Sequence, residues 1–250
     1  MYTLVLVRHG QSLWNLENRF AGWVDVDLSP HGYREARAAG ALLRENGFTF
    51  DRAYTSYLRR ACKSLEVILD TLGLLWIPET KTWRLNERHY GVLQGANRAD
   101  ILAHYGQVQF DLWRRSYRGL PPPLDAHSSD HPATDSRYAL VPPSELPTSE
   151  SLAGCSARVL SYWSAEVVPR VLSGSRILIC AHGSTLRALL KHLLEISDQD
   201  IARWNVPTAI PLVLRLDANL KVLDHRYLGD PVEVQRQIEL VASQGRRMVP

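Results

Sequence analysis

The sequence predicts an α/β fold: three layers, with a mainly parallel central sheet flanked by helices. Three observations carry this. Two apolar runs, Leu4-Val5-Leu6-Val7 and Ile177-Leu178-Ile179-Cys180, have the unbroken hydrophobic character of strands buried on both faces. One residue beyond each run stands a histidine followed by glycine, His9-Gly10 and His182-Gly183. Between and after the two runs, strand-like segments alternate with segments of helical period. In open α/β sheets ligands bind outside the carboxyl ends of the strands. Two histidines delivered there from distant parts of the chain are expected to meet.

The elements follow in order. A polar loop spans about residues 9 to 28. Ser29-Pro30 reads as a helix start, with Ser29 as N-cap and Pro30 in the first helical position. Tyr33, Ala36, Ala39 and Leu43 recur at helical spacing, and Gly47 marks the stop. Ala53-Tyr54-Thr55 is a short strand. Ser56 is expected to cap the next helix, whose apolar face is Leu58, Ala61, Leu65, Ile68 and Leu72. Arg60 then lies in a first turn, where free backbone N–H groups favour an anion.

From about 105 to 150 the chain holds Pro121, Pro122, Pro123, Pro132, Pro142, Pro143 and Pro147 and few apolar residues in any period. This stretch is expected to be an irregular excursion over the sheet edge. A long helix is predicted from about 151 to 172, ending near Ser173-Gly174. The second histidine strand follows, then a helix with Leu186, Leu189, Leu190 and Leu193 on one face. Residues 210 to 228 read as two strands around Asp217-Ala218-Asn219. From about 230 comes a polar tail with a short helix and a basic end. No repeat is visible, and 250 residues are read as a single domain with a sizeable core.

Charge is balanced, 29 Lys and Arg against 26 Asp and Glu, net +3, which argues against a nucleic-acid partner. No run approaches the roughly 18 apolar residues of a membrane span. The N-terminus shows neither a basic leader nor a cleavage site. Cys62, Cys155 and Cys180 are widely spaced and fit no zinc pattern. The expectation is a cytoplasmic protein with buried thiols.

Arg8-His9-Gly10 suggests covalent phosphoryl chemistry. A neutral imidazole can attack phosphorus and hold the phosphoryl group, splitting one hard transfer into two easier ones. Neighbouring arginines disfavour the imidazolium, and they also neutralise the transferring oxygens. His182 is a candidate second imidazole, and Ser184 opens a helix whose amides suit an anion. Within Asn86-Glu87-Arg88-His89-Tyr90-Gly91, Glu87 is a candidate general acid/base. Taken singly, Arg98 carries no signal and the Arg114-Arg115 pair after Trp113 reads as a solvated basic face; these residues become persuasive only as a set.

These segments resemble the histidine phosphatase superfamily. The finer resemblance is to its cofactor-dependent phosphoglycerate mutases, which are primed by 2,3-bisphosphoglycerate. It covers nearly the whole chain, and Glu87-Arg88-His89-Tyr90-Gly91, Arg114-Arg115 and the proline-rich excursion are its most specific parts. The resemblance implies that His9 is the phosphohistidine nucleophile, Glu87 the proton donor and acceptor, and His182 the stabiliser of the transferring group. It implies that Arg8 and Arg60 clamp the phosphoryl, with Asn15 contacting phosphate. Arg88, Tyr90, Arg114 and Arg115 would hold the carboxylate and far phosphate of a small phosphorylated acid. Gln11, Ser12, Ala21, Gly22, His89, Arg98, Gly183 and Ser184 complete the expected binding set. No metal is implied, since arginines and histidines meet the charge. A homodimer or homotetramer is implied by the same resemblance.

Five positions depart from the mutase pattern: Gln11 for a usual glutamate, Ala21 for a threonine, Arg98 for a lysine, and Ser184-Thr185 for Asn-Ser. Two alternatives therefore stand beside the mutase. One is a phosphatase that passes the phosphohistidine to water. The other is an inactive paralogue that only binds phosphometabolites.

Overall fold

The computed structural model describes residues 1–125 and 127–245. Six strands form one sheet: β1 (Tyr2–Arg8), β2 (Arg52–Thr55), β3 (Glu79–Lys81), β4 (Ile177–Ala181), β5 (Leu212–Leu216) and β6 (Val222–Tyr227). Their order is β3-β2-β4-β1-β5-β6. The first four are parallel, β5 runs antiparallel to β1, and β6 returns antiparallel to β5. The helices are α1 (Leu13–Leu16), α2 (Pro30–Glu45), α3 (Arg59–Leu72), α4 (Arg98–Arg114), α5 (Leu152–Tyr162), α6 (Val168–Leu172), α7 (Gly183–Leu193) and α8 (Pro231–Ser243).

Alternation along the strands makes the three layers. Val5, Val7, Leu178 and Cys180 pack with Ala36, Leu43, Leu65 and Ile68 of α2 and α3. Leu4, Leu6, Ile177 and Ile179 face the other way, onto Leu152, Val159, Leu186 and Leu190 of α5 and α7. Both apolar runs are thus buried on both faces, as their lack of polar alternation requires. Register then sets the site: Arg8 pairs with Ala181, and Thr55 with Cys180. The strand ends lie level, so His9, Ser56 and His182 leave the sheet together.

Local signals were obeyed at α2, where Ser29 Oγ accepts the Gly32 N–H and Pro30 occupies the first turn. They were not obeyed at α3. Leu58 holds the N-cap position without a side-chain bond, and Ser56 is drawn into the site instead. The expected loop after β1 contains the short α1. The excursion begins later than expected, because α4 runs to Arg114 with a kink at Gly106, where φ is 76°. Its alternating polar surface hides the helical period. From Arg115 to Glu150 the regular structure among the described residues is three short 3₁₀ turns.

The helix expected over 151–172 is broken into α5, a π-helical turn at Trp163–Val167, and α6. Pro169 has no N–H to return to the preceding turn, and the chain widens ahead of it. The tail segment forms α8, longer than expected and capped by Asp230. Its basic end, Arg246-Arg247, lies outside the described residues. Among the described residues no helix is long and apolar enough to cross a membrane. The three cysteines are unpaired.

Candidate active site

His9 and His182 meet at the sheet edge with ring centroids 5.0 Å apart. Both are buried, His9 at 2% exposure. His9 Nδ1 lies 2.7 Å from the Gly10 carbonyl oxygen. That acceptor fixes the proton on Nδ1 and leaves the Nε2 lone pair free to react. A Cβ at Gly10 would collide with the Gly32 carbonyl, so only glycine lets β1 turn here against α2. His182 Nε2 lies 2.7 Å from Ser56 Oγ, and its Nδ1 has no partner among the described residues. Burial first, then Arg60 and Arg8, hold His9 well below the usual imidazole range. Burial, Arg60, His9 and Arg8 do the same to His182.

Glu87 enters from the loop after β3. Its Oε1 accepts the N–H groups of Arg88 (2.8 Å) and Ser184 (3.0 Å). The start of α7, read from sequence as a phosphate seat, thus gives the Ser184 amide to a resident carboxylate. A methyl group on Gly183 would stand 3.5 Å from Arg8 Nε and 3.7 Å from Glu87 Oε2. Glycine there keeps open the gap between the arginine and the carboxylate.

His9 and Glu87 open onto a cleft, in which six guanidinium groups, from Arg8, Arg60, Arg98, Arg114, Arg115 and Arg187, face that one carboxylate. Arg8 donates to the Val206 carbonyl, and Arg60 to those of Gly22 and Val24. Nε of Arg8, Arg60, Arg98 and Arg187 has no acceptor among the described residues. Buried donors left over in this way mark a place for an anion. Burial, and to a smaller degree neighbouring guanidinium groups, lower Arg60, Arg98 and Arg187 to about 10. A polyanion relieves both penalties. A 2,3-bisphosphate of a small acid fits that donor set.

Asn15, Ala21, Gly22, Tyr90, Gly183 and Ser184 also line the cleft. Arg88 lies behind Tyr90, its guanidinium 4.6 Å from the ring centroid and Nη2 on the Arg114 carbonyl. Besides Arg88, three expected binding residues lie outside the lining, as does His182, which is buried behind it. Gln11 Oε1 accepts the Ser29 hydroxyl. Ser12 Oγ caps α1, accepting the Asn15 N–H. His89 turns its ring to Trp23, and its Nδ1 accepts the Gly91 N–H. All three do structural work beside the cleft.

Arg187, Asn205, Val206, Val241 and Gln244 line the cleft without having been singled out for the site. Arg187 lies one helical turn beyond Gly183 on α7, a spacing that could have flagged it. The end of α8 closes over the cleft: Arg114 donates to the Val241 carbonyl and Arg115 to that of Ala242. Of the expected 105–150 excursion, Arg114 and Arg115 line the cleft, and among the described residues its proline-rich part beyond them supplies no lining residue. It packs Tyr138 on Trp23 and takes the Asn86 side-chain N–H on its hydroxyl. Among the described residues no cluster of His, Cys, Asp and Glu could hold a metal ion.

The buried histidines carry a pH consequence. His89 is pushed down to about 3 by burial and Arg158, and His9 and His182 are also lowered. In the unfolded chain each titrates near about 6.5. Below that pH the unfolded state binds more protons than the fold, so stability falls, by up to about 1.4 kcal/mol per pH unit for each histidine. Urea titrations from pH 8 to 5 should therefore show midpoints dropping as the pH passes below about 6.5. A flat profile would refute the buried neutral state.

A doubly buried sheet that brings two neutral histidines together under arginines defines a class. The sequence profile of the histidine phosphatase superfamily (branch 1) matches residues 4–227, and the chain belongs to that family. A 2,3-bisphosphoglycerate-dependent phosphoglycerate mutase of Nitratidesulfovibrio vulgaris (strain DSM 19637 / Miyazaki F) is 52% identical over 245 residues, covering 98% of each chain. Among solved structures, the alpha-ribazole phosphatase of Shigella flexneri has a TM-score of 0.66 at 19% identity, over 91% of this chain and 96% of that one. A mycobacterial glucosyl-3-phosphoglycerate phosphatase in complex with VO3 has a TM-score of 0.64 at 23% identity, over 91% and 97%. At such identities these two show the shared fold.

Proposed function

We propose that this chain is a phosphoglycerate mutase of glycolysis and gluconeogenesis, interconverting 3-phosphoglycerate and 2-phosphoglycerate through a phosphohistidine at His9. The single observation that carries the proposal is the six arginines facing one carboxylate in a shared cleft. A monophosphate needs the Arg8–Arg60 end. Only a ligand with a second anionic group uses Arg98, Arg114, Arg115 and Arg187 as well. The 52% identical relative is named for the same chemistry.

When bound, 2,3-bisphosphoglycerate supplies the phosphoryl group that first charges His9. The Nε2 lone pair of His9 forms the N–P bond as the P–O bond to the glycerate breaks. The departing oxygen keeps the electron pair and takes a proton from Glu87. For the return step the one free hydroxyl of a bound monophosphoglycerate would attack phosphorus, the N–P bond would break, and Glu87 would take the hydroxyl proton; after the bisphosphate so formed turned round, its other phosphoryl group would recharge His9. Arg8, Arg60 and the imidazole of His182 offset charge on the three phosphoryl oxygens in flight. The far arginines hold the glycerate while it reorients, and the end of α8 keeps water from competing.

A coupled assay for 2-phosphoglycerate formation, with and without catalytic 2,3-bisphosphoglycerate, tests this. Turnover should depend on the bisphosphate and survive a chelator. Phosphate release without isomerisation would instead favour the phosphatase reading.

A cytoplasmic location accompanies this proposal, in keeping with three unpaired cysteines. A homodimer or homotetramer also belongs to it. The outer edge of β3 is exposed along its length, beside Trp76 at 77% exposure. Two copies paired antiparallel about Thr80 would set Glu79 of one against Lys81 of the other. Light scattering should give a dimer or larger species that Trp76→Glu weakens. A wild-type monomer at micromolar concentration would end that proposal.

A further inference from the structure

Arg158 lies on α5, outside the cleft lining, yet it gathers the whole loop that carries Glu87. Its guanidinium shares Nη1 among the carbonyls of Arg84 (2.8 Å), Asn86 (3.2 Å) and Trp83 (3.3 Å). Nη2 reaches the Glu87 carbonyl at 3.3 Å. The remaining donors pair with Glu150, Nε to Oε1 and Nη2 to Oε2, both at 2.8 Å. Glu150 Oε2 in turn accepts the His89 N–H at 2.9 Å, and the Glu150 N–H donates to the His89 carbonyl. One ion pair therefore grips the loop on both sides of Glu87. Thr185 adds a third hold, its hydroxyl donating to the Asn86 carbonyl at 2.7 Å.

Both partners are almost fully buried, Arg158 at 8% and Glu150 at 7% exposure. A buried ion pair is poor value as a source of stability, since desolvation cancels much of its attraction. What this one supplies is placement. Five backbone groups between residues 83 and 89 are fixed by one planar fork and its carboxylate partner. The Glu87 side chain can then reach the N–H groups of Arg88 and Ser184 with Oε1 while Oε2 stays in the gap beside Arg8.

We infer that the Arg158–Glu150 pair is the positioning device for the proton-transfer carboxylate Glu87. The inference rests on the acid/base role proposed for Glu87. It makes Arg158 matter most when the leaving oxygen needs a proton. Glycerate oxygens need one; the phenolate of p-nitrophenyl phosphate departs without much help.

The test compares Arg158→Lys with the wild type on both substrates. Lysine keeps the charge but cannot span the fan of carbonyls. Turnover of phosphoglycerate should fall about 10- to 100-fold in kcat, with KM, and the burst of p-nitrophenolate that accompanies phosphorylation of His9 by p-nitrophenyl phosphate, within about threefold. Adding Arg158→Lys to Glu87→Gln should cause no further loss, because both act on one step. Losses that multiply in the double variant, or equal losses on the two substrates, would overturn the inference. So would unchanged phosphoglycerate turnover. If Arg158→Lys does not fold, Glu150→Gln and Thr185→Val enter the same cycle. The contrast between leaving groups is readable whether the acceptor is glycerate or water. A wild type that only hydrolyses phosphoglycerate therefore counts against the mutase and leaves the positioning role to be judged by the cycle.

Discussion

His9→Ala should abolish phosphoryl transfer while leaving a folded protein. The imidazole makes one side-chain hydrogen bond, to the carbonyl of the next residue, and supports no distant element. Truncation leaves a small gap beside His182 and costs about 1–3 kcal/mol, within what a domain of this size tolerates. The chemical loss is far larger. Without the Nε2 lone pair there is no covalent path, and the remaining arginines and Glu87 have nothing to act upon. A fall of at least about 10⁵-fold is expected, the size seen when a covalent nucleophile is removed. Intact-protein mass at neutral pH, after incubation with the bisphosphate, should show a phosphoryl adduct on wild type and none on the variant. An adduct that persists, or isomerisation that survives, would mean the nucleophile lies elsewhere.

Glu87→Gln should separate binding from proton transfer. The amide oxygen can replace Oε1 and keep the N–H groups of Arg88 and Ser184. Its NH₂ then takes the place of Oε2, with the same shape and no proton to exchange. The kcat for isomerisation should fall about 10²- to 10³-fold, and inorganic phosphate should inhibit at a concentration similar to wild type. Loss of one negative charge among six arginines should, if anything, tighten that binding. Unchanged kcat would remove Glu87 from the chemistry. Phosphate affinity lost in step with kcat would show instead that the residue builds the cleft.

The strands that carry the histidines were legible because burial on both faces leaves a plain signal, an apolar run without alternation. Ser29-Pro30 was legible because a cap and a first-turn proline are local chemistry. β3 was not legible. Its three exposed residues at the sheet edge have no burial to impose a pattern. Nor was the reversed direction of β5, since an apolar strand reads alike in parallel and antiparallel pairing. In the site, His9, Glu87, His182, Arg8 and Arg60 stood out as a set through the resemblance. Gln11, Ser12 and His89 came with them through the same resemblance, but each side chain bonds or packs within the scaffold. Ser56 erred the other way: its spacing suggested a cap, whereas its hydroxyl meets His182. Arg158 gave no signal, because a buried arginine on a helix differs from a surface one only in what surrounds it after folding.

The place of β1 between β4 and β5 sets a timetable for the growing chain. The strand made first pairs with Ile177–Ala181 on one side and Leu212–Leu216 on the other. Arg8 also waits for the Val206 carbonyl. Contacts this far apart in sequence close slowly. An emerging chain therefore carries Leu4-Val5-Leu6-Val7 unpaired until most of the protein has left the ribosome, and that segment is the natural client of a holdase chaperone. The same order guards the metabolite. A chain stopped short of β4 has His9 without His182, and one stopped short of Val206 has no seat for Arg8. On the proposed mechanism, unfinished chains are therefore expected to take up no phosphoryl group.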